Sequence, residues 1–148
     1  MDKFQQLLWD LGELIELPLH SDKNRACNLL LDENLEIQIQ MDKNEENLLI
    51  CAFLGEISPG KFRENVLKDA LKVNGQYCPF GSLAFYERKN MLLLHQFLAA
   101  EKLNGETLVA RLEAFIEEAE EWRQALANGA TAPVKYHSFG SNPPPFMR

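Results

Sequence analysis

Residues Leu35-Glu-Ile-Gln-Ile-Gln-Met41 alternate apolar and polar without a break. A period of two sets Leu35, Ile37, Ile39 and Met41 on one face and Glu36, Gln38 and Gln40 on the other, as in a strand with one face on a core. Short polar turns bracket it, Asp32-Glu-Asn34 before and residues 42–46 after, so its neighbours should return antiparallel. Those neighbours are residues 26–31 and 48–54. The second is apolar on both faces, Leu48, Ile50, Ala52 and Leu54 against Leu49, Cys51 and Phe53. Any fold for this chain must cover one side of such a sheet and decide what to do with apolar surface on the other.

Helices supply the cover. Residues 2–17 carry Phe4, Leu7, Leu8, Leu11, Leu14 and Ile15 at three-to-four spacing, with Asp2 as N-cap and Pro18 as stop. A second helix should begin at Ser58 as cap with Pro59 in its first turn, bury Phe62, Val66, Ala70 and Val73, and stop at Asn74-Gly75. Residues 82–87 and 91–98 read as a hairpin. Residues 105–128 form the last helix, capped by Asn104, with Leu108, Leu112, Phe115, Ile116, Ala119, Trp122 and Leu126 in its apolar stripe. The order α-β-β-β-α-β-β-α, antiparallel strands with segregated helices, makes the class α+β. Residues 1–128 form the one domain. Residues 129–148 hold Pro143-Pro-Pro145 and no acid, and read as a disordered tail.

Charge narrows the partners. The chain has 22 acidic and 15 basic residues, net −7. The tail holds two of the bases, so residues 1–128 carry net −9. That balance argues against nucleic acid, whose phosphates want an excess of Lys and Arg. It also argues against the first helix as a membrane anchor, because Asp10, Glu13 and Glu16 would meet anionic lipid. The longest notable apolar run, residues 48–54, is too short for a membrane span. Three widely spaced cysteines suggest neither a disulfide framework nor a zinc set, and a reducing cytosol is the simplest home.

The residues offer material for three chemistries. Gly55-Glu-Ile-Ser-Pro-Gly60-Lys61 fits the spacing of a phosphate-cradling loop between strand and helix. Phe62 stands where a hydroxyl should hold Mg²⁺, and Pro59 has no N–H to offer, so a capped helix start is the better reading. Cys78 in a loop with His20, His95 or His137 is the only material for a cysteine hydrolase, and sequence cannot bring them together. Glu113, Glu117, Glu118, Glu120 and Glu121 crowd the last helix without a histidine, which reads as a solvated face rather than a metal site. No cofactor, metal or catalytic set is expected.

The order of elements and several segments together resemble the Tir-chaperone (CesT/SycE-like) family, the class I chaperones of bacterial type III secretion. Leu48-Leu-Ile-Cys-Ala-Phe-Leu-Gly-Glu-Ile-Ser-Pro-Gly60 is similar to the family's third strand running into its second helix. Phe62-Arg-Glu-Asn-Val-Leu-Lys-Asp-Ala-Leu-Lys-Val-Asn74 is similar to that helix, and Gly81-Ser-Leu-Ala-Phe85 and Leu103-Asn-Gly-Glu106 to the fourth strand and the start of the last helix. The flavour is chlamydial. The resemblance covers about residues 1–128 and does not extend to the Pro-rich tail.

The resemblance implies a bacterial cytoplasmic, ATP-independent homodimer that binds the N-terminal region of a secreted effector or secretion regulator and keeps it export-competent. It implies a dimer interface at Phe62, Val66, Ala70, Leu83 and Phe85. Strand addition plus apolar pockets would hold the client in extended form. With the apolar row of residues 35–41 facing the core, client contacts fall to the outer faces of the first and third strands and the first helix: Phe4, Leu29, Leu31, Leu49 and Phe53, with Leu7 and Leu11 next. Two alternatives stay open: a small cytosolic enzyme, either a cysteine hydrolase or a degenerate nucleotide binder, and a heterodimer subunit with a sister chaperone in a regulatory role.

Overall fold

The structure, a computed structural model, describes residues 2–76 and 79–136. Helix α1 spans Lys3–Ile15, strands β1 Ala26–Leu31, β2 Leu35–Met41 and β3 Asn47–Glu56, helix α2 Lys61–Asn74, strands β4 Ser82–Tyr86 and β5 Met91–Ala99, and helix α3 Gly105–Ala127. The strands form one antiparallel sheet in the order β1-β2-β3-β5-β4. Helix α2 carries the chain from β3 to the far edge, and β5 returns between β3 and β4. The edges are therefore β1 and β4.

The alternation of β2 decides which way the sheet faces. Leu35, Ile37, Ile39 and Met41 are buried, in a row with Leu48, Ile50, Ala52 and Leu54 of β3 and with Leu92, Leu94 and Leu98 of β5. Helix α3 packs on β3 over this face, α1 lies against α3, and α2 flanks β4. Phe4, Leu7, Leu8, Leu11, Phe115, Trp122, Val66 and Val73 complete one core.

Helices α1 and α3 start as their cap residues dictate. Asp2 accepts the Gln5 N–H at 2.8 Å while the Gln5 side chain accepts from the Asp2 N–H, and Asn104 and Thr107 pair reciprocally. Helix α2 departs from expectation. Its N-cap is Gly60 at φ 143°, and no side chain caps it. Ser58 is not the cap, because the strand before it runs on: Ile57 is buried, its N–H donates to Asn90 O at 2.7 Å, and its carbonyl accepts from Arg63 Nε at 2.8 Å. The turn is thereby delayed to residues 58–60.

The domain boundary is also corrected. Residues 129–136, expected to begin a disordered tail, fold back on the body: Ala132 and Pro133 are buried and the Tyr136 ring lies 5.8 Å from that of Trp122. Apolar periodicity is missing there because single side chains, not a repeating face, make the contacts. The rest of the expected tail, residues 137–148, lies outside the described residues, as does Cys78.

Candidate functional site

The loop between α1 and β1 is shaped by one glycine. Helix α1 ends at Glu16 in the left-handed region (φ 60°), and the Leu17 N–H turns back to the Gly12 carbonyl at 3.0 Å. A β-carbon on Gly12 would lie 2.6 Å from the Leu17 carbonyl oxygen, so only glycine admits this close return. Residues 17–21 then run beside α1 and leave an open groove of about 1020 Å³. Leu8 lies at its base, and Trp9, Leu17, Glu13 and Glu16 stand around it. Trp9 is 58% exposed, a large aromatic in water beside carboxylates. Apolar walls with an acidic margin suit an apolar segment carrying basic residues.

Beside this groove the edge strand β1 is open to pairing. Arg25 O accepts from Met41 N, so in β1 the backbone groups of residues 27, 29 and 31 point into the sheet and those of 26, 28 and 30 point out. Asp22 closes the outward pair of Ala26: its side chain accepts the Ala26 N–H at 3.0 Å and its N–H donates to Ala26 O at 2.8 Å. Asn28 and Leu30 have no such partner among the described residues. An extended segment can add there through up to four backbone hydrogen bonds. The opposite edge differs. The Asn74 side chain donates to Leu83 O and accepts from Leu83 N, both at 2.8 Å, and so fills the outward bonding pair at Leu83, the first of the two that β4 presents.

Among the described residues, no helix covers the outer sheet face. Leu49 and Phe53 lie on this side, as expected, with His95, Phe97 and Leu93 beside them on β5. Phe97 is 64% exposed, and Phe53 makes an edge contact with Tyr86, centroids 6.0 Å apart.

Other expected client residues are displaced. Leu29 and Leu31 pair with Ile37 and Leu35, so they face the core side and are half-buried. The outer position on β1 belongs to Leu30, 64% exposed. The bounds of the strand match the sequence expectation and its phase differs: Leu29-Leu-Leu31 is uniform, and nothing in it says which leucine faces out. Phe4 is 1% exposed and packs in the core with Leu7 and Leu11. Trp9 went unnoticed although a signal exists, since it sits about 140° around the helix from Phe4, on the polar side of the stripe.

At α2 and β4, Val66, Ala70 and Leu83 are buried in the chain's own core rather than free to meet a partner. Helix α2 is amphipathic toward its own sheet, which sequence periodicity cannot tell from an interface. Phe62 is exposed, and Phe85 is half-buried with the Arg63 guanidinium 4.7 Å from its centroid. The apolar residue most open on this side is Leu71, 71% exposed, with Leu67 one turn before it.

Among the described residues, no reactive set gathers at these surfaces. Lys61 of the phosphate-loop-like segment lies 3.5 Å from Glu64. Addition of Mg²⁺-ATP should leave the melting temperature unchanged. A site at a hundredfold excess over Kd would add about 2.7 kcal/mol, and a rise of that size abolished by Lys61→Ala would overturn this. Cys27 is buried and Cys51 half-buried, and desolvation pushes both thiols up, away from the thiolate a nucleophile needs. Among the described residues no group of three or more His, Cys, Asp and Glu could hold a metal ion, and no helix is long and apolar enough to cross a membrane.

Comparison with known proteins agrees with this picture. No curated protein sequence matches significantly. Among solved structures, the fold is similar to that in the HopA1-SchA chaperone-effector complex, at 25% identity and a TM-score of 0.66 over 83% of this chain and 94% of that one. It is similar to that in the ExsC-ExsE complex, at 25% identity and 0.68 over 85% and 97%. A fold match of 0.59 at 18% identity, over 83% and 96%, is found in the heterodimeric ExoU-SpcU complex from the type III secretion system of Pseudomonas aeruginosa. A model of a family of chaperones rather than of enzymes matches residues 6–123, and with that span coinciding with the α+β body, the chain belongs to the Tir chaperone protein (CesT) family.

Proposed function

We propose that this chain is an ATP-independent chaperone of the bacterial cytoplasm that binds the N-terminal region of a type III secreted effector or secretion regulator and keeps it competent for export. The observation that carries the reading is the juxtaposition of the α1 groove with the open β1 edge. One offers apolar walls and an acidic margin, the other unpaired backbone at Asn28 and Leu30. A client strand added to β1 gains sequence-tolerant hydrogen bonds, while side chains reaching the groove or the outer face at Leu30, Phe53 and Phe97 give selectivity. The acidic body favours basic clients and speeds encounter. Affinity capture of the native protein from its own cells, with mass spectrometry of what co-purifies, should recover a secreted protein. Limited proteolysis should then map protection to that protein's N-terminal region. Recovery of metabolic enzymes alone, with no secreted protein, would overturn the reading.

The working unit is a homodimer built on α2 and β4. Because Asn74 fills the edge at Leu83, the second copy is met by side chains rather than by a continued ladder. Leu71, Leu67, Phe62 and Phe85 supply that apolar surface. Leu71→Glu should keep a native circular dichroism spectrum and weaken dimerisation tenfold or more in sedimentation, about 1.4 kcal/mol or above. An unchanged dimer would move the interface elsewhere. If the native chain sediments only with a different chaperone, the heterodimer is the functional form.

A further inference from the structure

We infer that the place where α2, α3 and residues 79–81 meet is a binding site for a short basic-aromatic segment, filled in cis by the chain's own residues 130–136. The strap lies beyond residues 6–123, the span that the family model matches. The site is acidic: Asp69 comes from α2, Glu118 and Glu121 from α3. Glu118 is the one charged side chain that is buried among the described residues, at 2% exposure. Both its oxygens are used, Oε2 by Lys135 Nζ at 2.5 Å and Oε1 by the Tyr136 hydroxyl. Lys135 also reaches Glu121 at 2.7 Å and lies 5.6 Å from the Phe80 ring centroid. Thr131 donates its hydroxyl to Asp69, Ala132 and Pro133 are buried, and the Tyr136 ring packs beside Trp122.

Each contact specifies a feature of the occupant. A carboxylate held out of water requires an ammonium and a hydroxyl donor, since without them its desolvation is uncompensated. The buried Ala132 and Pro133 require small or proline residues, while Val134, 80% exposed, leaves its position unrestricted. The ligand class is an extended segment reading hydroxyl residue, small residue, proline, any residue, lysine, tyrosine. The three carboxylates outnumber the one strap lysine, so the site stays anionic when filled and prefers basic competitors. Tethering sets the effective concentration of the strap on the order of millimolar, so a competing segment must be abundant or better matched to displace it.

The test needs no dimer or client, so its failure is separate from that of the proposed function. The chain has two tryptophans, and Trp9→Phe leaves buried Trp122 as the sole indole. In that full-length background, Lys135→Ala with Tyr136→Ala should open the strap and raise acrylamide quenching several-fold. A synthetic peptide spanning residues 129–136 should reverse the change at or below about millimolar concentration, because a strap held closed at that effective concentration must bind more tightly than that, and the same peptide with glutamate in place of its lysine should not. Quenching that stays unchanged on opening, or peptides that act alike or not at all, would overturn the assignment. Should the double variant lose its native spectrum, Tyr136→Phe in the full chain serves instead. Amide exchange across residues 130–136 should then quicken about tenfold for loss of one charge-assisted hydrogen bond, and unchanged exchange would overturn it.

Discussion

Val66→Asp should yield no folded protein at all, rather than a folded monomer. Val66 is 0% exposed on the face of α2 that enters the core with Ala70 and Val73. A carboxylate there has no partner and no water. The cost of an unpaired buried charge, about 3–5 kcal/mol, added to lost packing, consumes much or all of a typical stability of about 5–15 kcal/mol. Soluble expression and circular dichroism check this. A folded, monomeric Val66→Asp protein would show that α2 stands away from the sheet and that Val66 faces a partner after all. Leu71→Glu, one and a half turns on and exposed, is the matched control that should fold.

Phe4→Ala and Trp9→Ala should separate stability from binding within a single helix. Phe4 is buried against α3 and the sheet, so truncation should cost about 3–5 kcal/mol of stability, read as a fall in denaturant midpoint. Trp9 projects beside the groove and should cost little stability. If it anchors the client, its removal should weaken binding by about 2 kcal/mol or more, roughly 30-fold in Kd. Equal binding by the wild-type and Trp9→Ala proteins would exclude the groove and leave the sheet face around Phe53 and Phe97 as the client site.

The contrast between these two residues shows where sequence stops being informative. Period-two alternation located β2 because one of its faces is dry and the other wet. The strands β1 and β3 are legible as apolar runs, but a run of leucines carries no phase, and Leu29 and Leu31 face the core side rather than the outer one. Reciprocal capping at Asp2 and Asn104 was legible because it is local, spanning three residues. The cap of α2 was not, because Ile57 is held by Asn90 from the turn between β4 and β5, more than thirty residues on. Glu118 reads as one more acid in a solvated helix, and only its contact with Lys135 and Tyr136, residues beyond the end of that helix, makes it a buried group.

The body is closed by its first and last elements. Helix α1 packs on α3, Lys3 Nζ donates to the Leu103 carbonyl at 2.8 Å across 100 residues of sequence, and Gly105 sits so close to Asp10 that a β-carbon would not fit. During synthesis, Phe4, Leu7 and Leu11 therefore leave the ribosome long before the surface that covers them exists. At about 5–20 residues per second, that interval is on the order of 5–20 s. For that time the nascent chaperone is itself an unfolded chain with an apolar helix in the open, and α1 has no α3 to hold it in place. Capture of a client must wait until translation has passed α3, so the timing of chaperone synthesis relative to its client is set by the packing of one helix pair.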